Sequence, residues 1–414
     1  MTEQLKLKLN DSKATRWGAL VIVAFTMMAA YYVNDVVAPL KTMLETDLAW
    51  SSTDFGFFTG GYSFLNVFFL MLIWGGLILD RFGIRFTGKL ATILMVGGTA
   101  LEYYAMTGLA GADATLFGIN VIFGYKTGVF VAFAGYSIFG VGAEVAGITV
   151  SKIIAKWFKG KELATAMGVQ VALARIGSQA GYAVAIPLAR AFGISTPVLL
   201  GLVLLLGGMI AFFIFAVMDK KLDKQMEAAA IAAGTEDEEE KFSFKDVKNI
   251  LVNPGFWLIA LLCVLFYSCV FPFQKFASEL MIIKYGINEN VAGTFAGLPA
   301  LGALILTPVF GGFIDKRGKS ASIMLLGSAM LICVHFIYAI PDINYWLVAI
   351  VLMIILGIAF SLVPSAMWPA VAKIFPVSQL GTAYALIFFI QNIGLWGIPT
   401  LIGWVLDAYC ISGK

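Results

Sequence analysis

Two residues of opposite charge, Glu144 and Arg175, stand inside long apolar runs on either side of a short basic turn. Glu144 comes fifteen residues before Lys159, and Arg175 comes fifteen residues after Gly160. At about 1.5 Å of rise per helical residue, each lies roughly 20 Å from the turn, near the middle of a hydrocarbon core about 30 Å thick. A charge at that depth is costly and normally faces a cavity or a partner. The pair therefore predicts a polar site inside a membrane bundle.

A zwitterion with an ammonium and a carboxylate is a suitable ligand for such a site. Glu144 can accept hydrogen bonds from the ammonium, and Arg175 can hold the carboxylate with two parallel N–H donors. A small peptide carries both groups, and Tyr62 and Trp368 offer apolar surfaces with polar tips for its variable side chains. Other polar side chains could bind its amide groups: Asn66, Gln170, Gln391 and Asn392. The alternative is that Glu144 and Arg175 pair only with each other and hold two helices together.

The elements that position these residues follow from the composition. The chain of 414 residues is 60% hydrophobic and 13% charged, which is more apolar than a soluble domain of this length needs to be. Its long apolar runs predict an all-α, polytopic membrane protein with eleven spans. The predicted spans cover 16–40, 52–79, 86–109, 128–156, 161–190, 196–219, 255–284, 290–314, 320–340, 344–374 and 378–408.

A polar, charge-rich segment at 220–249, with an acidic run at 236–240, separates the first six spans from the last five. We therefore expect an N-terminal six-helix bundle over 1–219, a solvated linker, and a C-terminal bundle over 250–414. Lysine and arginine are concentrated in the loops on one side, which places the linker and the N-terminus in the cytoplasm. No sorting signal precedes the first span and no external glycosylation sequon is apparent, which favours a bacterial inner membrane.

One loop motif occurs twice. The sequence GLILDRFGIR at 76–85 ends the second predicted span, and GGFIDKRGK at 311–319 ends the eighth. Both read G-x-x-x-D-[RK]-x-G, and the aspartates stand 235 positions apart. An aspartate there can bond the N-terminus of a neighbouring helix, and the glycines allow a tight turn and close packing, so the two copies predict a gate. The motif residues are Gly76, Asp80, Arg81, Gly83 and Arg85 in the first copy, and Gly311, Asp315, Lys316 and Gly318 in the second.

Other polar residues within the spans have two interpretations each. Asp35 is either a proton-titrating group or a residue at the outer rim of the first span. His335 is favoured as a satisfied interior histidine over a metal ligand, and a role in proton transfer stays open. Lys275 and Glu279 share a helix face and either neutralise each other or leave Lys275 to bind an acidic substrate group. The four cysteines lack metal-ligand spacing, so we expect neither a metal nor a cofactor.

The two loop motifs resemble those of the major facilitator superfamily, whose plan is two six-helix bundles with the substrate site between them. Longer stretches resemble the branch that contains the animal lysosomal dipeptide transporter: WFKGKE at 157–162, ARIGS at 174–178, VFPF at 270–273, WP at 368–369, QLGTAY at 379–384 and QNIG at 391–394. The resemblance implies that Glu144 and Arg175 hold a dipeptide, which moves by facilitated diffusion. This sequence departs from that branch in two ways. Lys275 replaces a small residue, and the sequence ends before a twelfth helix, which we expect truncation to have removed.

We therefore expect an alternating-access transporter of small peptides, most of all dipeptides, by facilitated diffusion or proton coupling. One alternative is a carrier of organic anions or amino acids, in which Arg175 and Lys275 both bind carboxylates. Another is a channel or a non-transporting membrane sensor, against which the paired gate motifs argue. No nucleophile–base constellation suggests an enzyme, and the basic residues sit in short loops rather than in a nucleic-acid-binding face. We expect a monomer in the lipid bilayer, with an accessory subunit left open.

Overall fold

The computed structural model describes residues 8–111, 114–159, 161–233, 244–375 and 377–410. The acidic run predicted at 236–240 and residues 411–414 lie outside the described residues. The structure confirms an all-α membrane fold. In the first part of the chain the helices are α1 Lys13–Val36, α2 Lys41–Asp47, α3 Ser52–Phe68, α4 Met71–Thr107, α5 Thr127–Trp157, α6 Leu163–Phe192 and α7 Thr196–Ala233. A 3-10 turn, Ala38–Leu40, links α1 to α2, and a hairpin of β1 Val121–Ile122 and β2 Tyr125–Lys126 precedes α5.

The second part of the chain contains α8 Phe244–Val252, α9 Pro254–Ile283, α10 Glu289–Ala296, α11 Leu298–Arg317, α12 Ser320–Ala339, α13 Trp346–Ile374 and α14 Val377–Val405. A π-helical turn, Leu406–Cys410, follows α14. Side-chain caps mark several helix starts, because the first backbone N–H groups of a helix lack partners within it. Ser51 and Asp54 form a capping box at α3, and Asn253 caps α9 just before Pro254.

In the part of the chain that the structure describes, eight helices are long and apolar enough to cross a membrane, and the bent pair α3 and α4 adds a ninth span. The predicted second span, 52–79, is not one straight helix. It breaks after Phe68, Leu70 adopts a left-handed conformation with φ 54°, and the chain bends by 58° into α4. Helix α6, which carries Arg175, is not among the nine, because its polar residues lower its hydropathy.

The segment expected to be a linker is partly helical. Helix α7 continues to Ala233, fourteen residues past the predicted end of the bundle at 219, and α8 covers Phe244–Val252. Ion pairs explain the extension of α7, since Asp219 and Asp223 on its last turns both pair with Lys156 of α5. Leu222 between them is fully buried. The α7 extension is thus packed onto α5 rather than solvated on all sides.

The buried apolar side chains form two large clusters. The helices α1–α7, here called the N-terminal bundle, build the first cluster around Phe58, Tyr136 and Trp157. The helices α9–α14, here called the C-terminal bundle, build most of the second. Each cluster takes in a side chain from the other bundle: Phe276 of α9 packs into the first, and Tyr182 of α6 into the second. The two bundles therefore share part of their cores.

The ion pairs that join the bundles in the described structure lie at one end of the helices. We call the membrane side of the α5–α6 turn the N-terminal side, because Lys161 in that turn bonds Asp11 at 2.6 Å. On the opposite side, Lys41 of α2 pairs with Glu279 of α9 at 2.5 Å, and Asp407 accepts from the Ser52 backbone N–H at 3.1 Å.

Among the residues that the structure describes, ion pairs on the N-terminal side stay within the N-terminal bundle. Ion pairs thus join the two bundles on the opposite side.

The first turn of α1 is held to the α5–α6 turn by an acid–base pair that predicts a pH effect. Arg16 donates to Glu162 at 2.7 Å, and this bond holds the pKa of the Glu162 carboxyl below its usual value of 4.5. A carboxyl with a lowered pKa in the folded state stabilises the fold above its unfolded pKa and loses that contribution as the pH falls through the folded value.

We therefore expect Glu162→Gln to lower the melting temperature slightly at pH 7, with the difference from wild type shrinking below about pH 4.5. Thermal unfolding of both proteins in detergent between pH 7 and pH 3.5 measures this. Asp342→Asn, which changes an exposed carboxyl after α12, is the control and should show no such trend. A difference that stays constant with pH contradicts the prediction.

Candidate functional site

Glu144 lies on α5 at a point where the rest of the helix is buried. Ala143, Val145 and Ala146 are buried, whereas Glu144 itself is partly exposed. It accepts a hydrogen bond from the Tyr62 hydroxyl of α3 at 3.0 Å. One side of α5 becomes more exposed from Glu144 towards the N-terminal side, through Ser151. The Glu144 carboxylate is thus bonded to Tyr62 at the point of α5 from which this exposure increases.

Arg175 lies on α6 between two aromatic rings from different bundles. Its guanidinium carbon is 5.6 Å from the ring centre of Tyr31 on α1 and 5.0 Å from that of Phe360 on α13. Cation–π contacts of this kind hold a guanidinium in place without using its N–H donors. In the described part of the chain, no ion pair within 4.0 Å joins Arg175 to Glu144. The two charges therefore do not neutralise each other in this conformation.

Tyr31 connects the two charges. Its ring lies beside Arg175, and the hydroxyl is within electrostatic range of Arg175, Glu144 and Asp35. The site is therefore one region rather than two separate ones. Tyr31 was not predicted to bind substrate, although its place in the first span four residues before Asp35 was a usable signal. Phe360 had no signal in the sequence, because nothing distinguishes it from the other 33 phenylalanines.

Several aromatic side chains of the C-terminal bundle lie near Arg175. Tyr267 of α9 is within electrostatic range of Arg175, its ring stacks on Phe271, and Trp368 of α13 donates to its hydroxyl at 3.3 Å. Trp368 also packs against Phe388 with ring centres 4.8 Å apart. The predicted Trp368 thus belongs to the surroundings of Arg175, through a tyrosine that sequence reasoning did not select.

The four predicted amide residues differ in their surroundings. Asn66 lies one helical turn after Tyr62 on α3, is 1% exposed, and neither of its amide atoms has a hydrogen-bond partner in the described structure. Gln170 is partly exposed on α6, towards the N-terminal side of Arg175. Gln391 accepts from the Cys263 thiol at 3.3 Å, and Asn392 donates to the Phe388 carbonyl at 2.9 Å. Asn66 is therefore the amide with most unused bonding capacity close to Glu144.

Lys275 and Asp35 form an ion pair between the bundles. The Lys275 ammonium on α9 lies 3.1 Å from the Asp35 carboxylate on α1. It also donates to the Asn34 carbonyl and to the Tyr136 hydroxyl. Glu279 pairs with Lys41 instead. In this conformation Lys275 is therefore paired with Asp35 rather than with Glu279, and its binding to a substrate stays a prediction.

A family model described as Major Facilitator Superfamily matches residues 20–397, which is most of the chain. The chain belongs to the major facilitator superfamily. Superfamily members with solved structures share its fold. A D-xylose–proton symporter gives a TM-score of 0.64 at 15% identity, with 95% of this chain and 92% of that chain covered. A bacterial homologue of the human lysosomal transporter Spinster, in an inward-facing and unoccupied conformation, gives 0.66 at 16% identity, with 96% and 84% covered.

Curated relatives within the superfamily are lysosomal dipeptide transporters named MFSD1. The protein from Homo sapiens is 29% identical over 409 residues, which cover 95% of this chain and 81% of that protein. The protein from Mus musculus is 28% identical, with 95% and 81% covered. The protein from Gallus gallus is 34% identical over 286 residues, with 66% and 62% covered. This chain is therefore a multi-pass membrane transporter of the superfamily, with dipeptide transporters among its relatives.

The first copy of the superfamily's loop motif makes ion pairs within the N-terminal bundle. Asp80 pairs with Lys152 of α5 at 2.9 Å rather than with a helix N-terminus. The Arg85 guanidinium lies 2.6 Å from the Asp223 carboxylate, and the Arg81 guanidinium lies over the ring of Phe82. Gly83 has a φ of 75°, which glycine adopts without strain because it carries no side chain. Gly76 makes no close helix contact, since a Cβ added there would have no heavy atom within 4 Å.

The second copy of the motif lies at the end of α11. Gly318 has φ 68°, so the tight turn is present here as in the first copy. A Cβ added at Gly311 would also meet nothing within 4 Å, and Lys316 is exposed. The Asp315 side chain lies outside the described residues. The close packing predicted at Gly76 and Gly311 is thus missing in this conformation.

His335 lies away from the charged residues of the site. Its ring meets the edge of Phe273 with centres 4.8 Å apart, it is bonded to the backbone of Cys269, and its Nε2 has no partner among the described residues. Phe273 and Cys269 belong to α9, so the contacts join α12 to α9 within the C-terminal bundle. The structure does not bring His335 together with Glu144 or Asp35.

Proposed function

We propose that this protein carries small zwitterionic peptides, with dipeptides as the preferred substrates. The observation that carries the proposal is that Glu144 and Arg175, at one depth in the membrane, do not pair with each other within 4.0 Å in the described structure. Two opposite charges held apart inside a membrane bundle are costly unless a ligand pairs with them. Relatives that transport dipeptides in animal lysosomes support the same substrate class.

In the proposed complex the peptide ammonium binds Glu144, and its carboxylate binds Arg175. The Tyr62 hydroxyl already donates to Glu144, which holds the carboxylate in one orientation for the ammonium. Tyr31 and Phe360 hold the guanidinium from its two sides, so its N–H edge remains for the carboxylate. Asn66, whose amide atoms have no hydrogen-bond partner in the described structure, would bind the peptide bond. Tyr267 and Trp368 supply apolar surface for side chains of different size.

We infer that the carrier works by alternating access. Arg175 contacts rings of both bundles, so a bound ligand would sense their relative position. The cross-bundle ion pairs on the opposite side would break when that side opens, and the loop motifs at Gly76 and Gly311 would close when the N-terminal side shuts. The bacterial inner membrane remains our prediction for the location. The curated relatives named above are lysosomal proteins of animals and do not test this prediction.

The organic-anion alternative is weaker on one count. It requires Arg175 and Lys275 to bind two carboxylates of one ligand, but the Lys275 ammonium is already bonded to Asp35. A dianion would have to displace Asp35 and leave its carboxylate buried without a partner, which is unfavourable. A zwitterion needs no such displacement.

The test of the proposed function is thermal stabilisation of the purified protein by a set of related ligands. A ligand that binds only the folded state stabilises it by about 2.7 kcal/mol at one hundred times its dissociation constant. The set contains a dipeptide, the same dipeptide with its N-terminus acetylated, the same with its C-terminus amidated, the free amino acids, and a dicarboxylate. We expect the unmodified dipeptide to raise the melting temperature by several degrees, and each blocked form to raise it much less.

A transport measurement separates a carrier from a channel. Proteoliposomes loaded with unlabelled dipeptide should take up labelled dipeptide by counterflow and should saturate with concentration. Stabilisation by the dicarboxylate alone favours the anion carrier and contradicts the peptide proposal. Flux without saturation or counterflow contradicts a carrier of any substrate.

A further inference from the structure

The ion pair between Asp35 and Lys275 is almost shut off from water, and each side chain is 10% exposed. Lys275 belongs to the C-terminal bundle, but its bonding partners, Asn34, Asp35 and Tyr136, belong to the N-terminal bundle. The Tyr136 hydroxyl also donates to the Asn34 carbonyl at 2.8 Å, which fixes the ring beside the pair. When the bundles separate on the opposite side, Lys275 must leave all three partners together.

A second carboxyl lies close to this pair and has no bonded partner. Glu102 of α4 is fully buried, and neither of its carboxyl oxygens has a hydrogen-bond partner among the described residues. It is within electrostatic range of Lys275 and Tyr136. An ionised carboxylate without a hydrogen bond is far more costly to bury than a neutral carboxyl. Glu102 thus gives Lys275 no hydrogen bond, and Lys275 has Asp35 as its one charged partner in the described structure.

The surroundings of Asp35 decide what happens when Lys275 leaves. The titratable and charged groups facing Asp35 are Tyr31 on its own helix, Tyr136 on α5, Tyr182 on α6 and Lys275 on α9, with Glu102 on α4 one step further away. Only Lys275 among these is a cation in direct contact with the Asp35 carboxylate. Without it, Asp35 would be a buried carboxylate with no counter-charge, and protonation removes that cost.

We propose that Asp35 and Lys275 form a proton-operated latch, in which a proton replaces Lys275 on Asp35 when the bundles separate on the opposite side. The proton comes from water on that side and binds one Asp35 oxygen, while the Lys275 ammonium keeps its own proton and becomes hydrated. When the bundles close again, Lys275 returns and the Asp35 proton leaves to water. The proposal adds proton binding at Asp35 to the conformational change of the proposed carrier. The latch itself does not depend on which substrate the carrier moves.

The test measures the position of the bundles without any substrate. Spin labels replace Phe192 at the end of α6 and Tyr345 before α13, both exposed on the opposite side, in a protein whose four cysteines are changed to alanine. Electron–electron distances in lipid nanodiscs then give the ratio of open to closed states at each pH. For one linked proton we expect the open state to gain by up to about tenfold for each unit of falling pH. Asp35→Asn should be more open than wild type and should not respond to pH.

Two variants serve as controls for this measurement. Arg190→Gln removes an exposed ion pair between the bundles, to Glu289, and should make opening easier while leaving the pH response intact. Glu102→Gln imitates a protonated carboxyl and should also respond to pH as wild type does. The proposal is overturned if the wild-type ratio does not change with pH, or if Asp35→Asn responds as wild type does. It is also overturned if Glu102→Gln alone loses the response.

A transport assay tests the consequence for the substrate. In proteoliposomes, dipeptide counterflow by wild type should change with the pH on the opposite side. Counterflow by Asp35→Asn should continue and should not change with that pH. If wild-type counterflow is the same at every pH, the latch proposal fails and the proposed function stands. If wild type moves no dipeptide at all, the proposed function fails, and the distance measurement still decides on the latch.

Discussion

We expect Arg175→Lys to reduce the affinity for an unmodified dipeptide by about ten- to a hundredfold, and Arg175→Ala to abolish measurable stabilisation. A charge-assisted hydrogen bond contributes about 1.5–3 kcal/mol, and a factor of ten in affinity corresponds to about 1.4 kcal/mol. Lysine offers a single point charge in place of two parallel donors. It also lacks the planar group that lies between Tyr31 and Phe360, so its ammonium would not be held at the same place.

The measurement is the ligand-dependent melting temperature, followed by binding calorimetry on the variants that remain folded. Arg190→Lys is the matched control, because it makes the same change on the same helix at an exposed ion pair outside the proposed site. It should leave dipeptide affinity unchanged. The C-terminally amidated dipeptide supplies a second check, since the loss on amidation should be large in wild type and small in Arg175→Lys. Equal binding by wild type and Arg175→Lys shows that Arg175 does not hold the carboxylate.

We expect Gly98→Val to prevent most of the protein from folding. At this point α4 and α5 cross with their backbones in contact. A Cβ on Gly98 would lie 2.4 Å from the Phe139 nitrogen and 2.5 Å from the Gly135 carbonyl oxygen. A backbone atom cannot move aside as a flexible side chain can, so the two helices must separate. Overpacking of this kind usually destabilises by about 1–3 kcal/mol and sometimes by more. The paired glycines here place the effect at the upper end.

The neighbouring glycine provides the control for this prediction. A Cβ on Gly97 would meet no heavy atom within 4 Å, so Gly97→Val makes the same chemical change on the exposed side of the same helix. We expect Gly97→Val to give a monodisperse protein with a melting temperature close to wild type, and Gly98→Val to give mostly aggregate in size-exclusion chromatography. If the two variants behave alike, the α4–α5 crossing is looser than the structure describes.

Local patterns predicted the site only in part. The depth of Glu144 and Arg175 follows from counting residues along two helices, and the structure has both helices where they were expected. The bonding of Tyr62 to Glu144 depends on how α3 and α5 are rotated against each other, which no local pattern encodes. The same holds for Phe360 beside Arg175, since the two residues belong to different bundles. The gate motif was visible because it repeats, but the pairing of Asp80 with Lys152 was not.

The sequence by itself determined the class of protein, most of the membrane spans, the repeated loop motif and the depth predicted for the two charges. Each of these depends on hydropathy or spacing within a few tens of residues, where helix geometry converts position directly into depth. Tertiary structure alone decided which charges pair and on which side ion pairs join the bundles. Asp35 and Lys275 stand 240 positions apart, and Lys41 and Glu279 stand 238 apart. Such pairs form only after the helices have been rotated and docked, so the packing of the two bundles selects them.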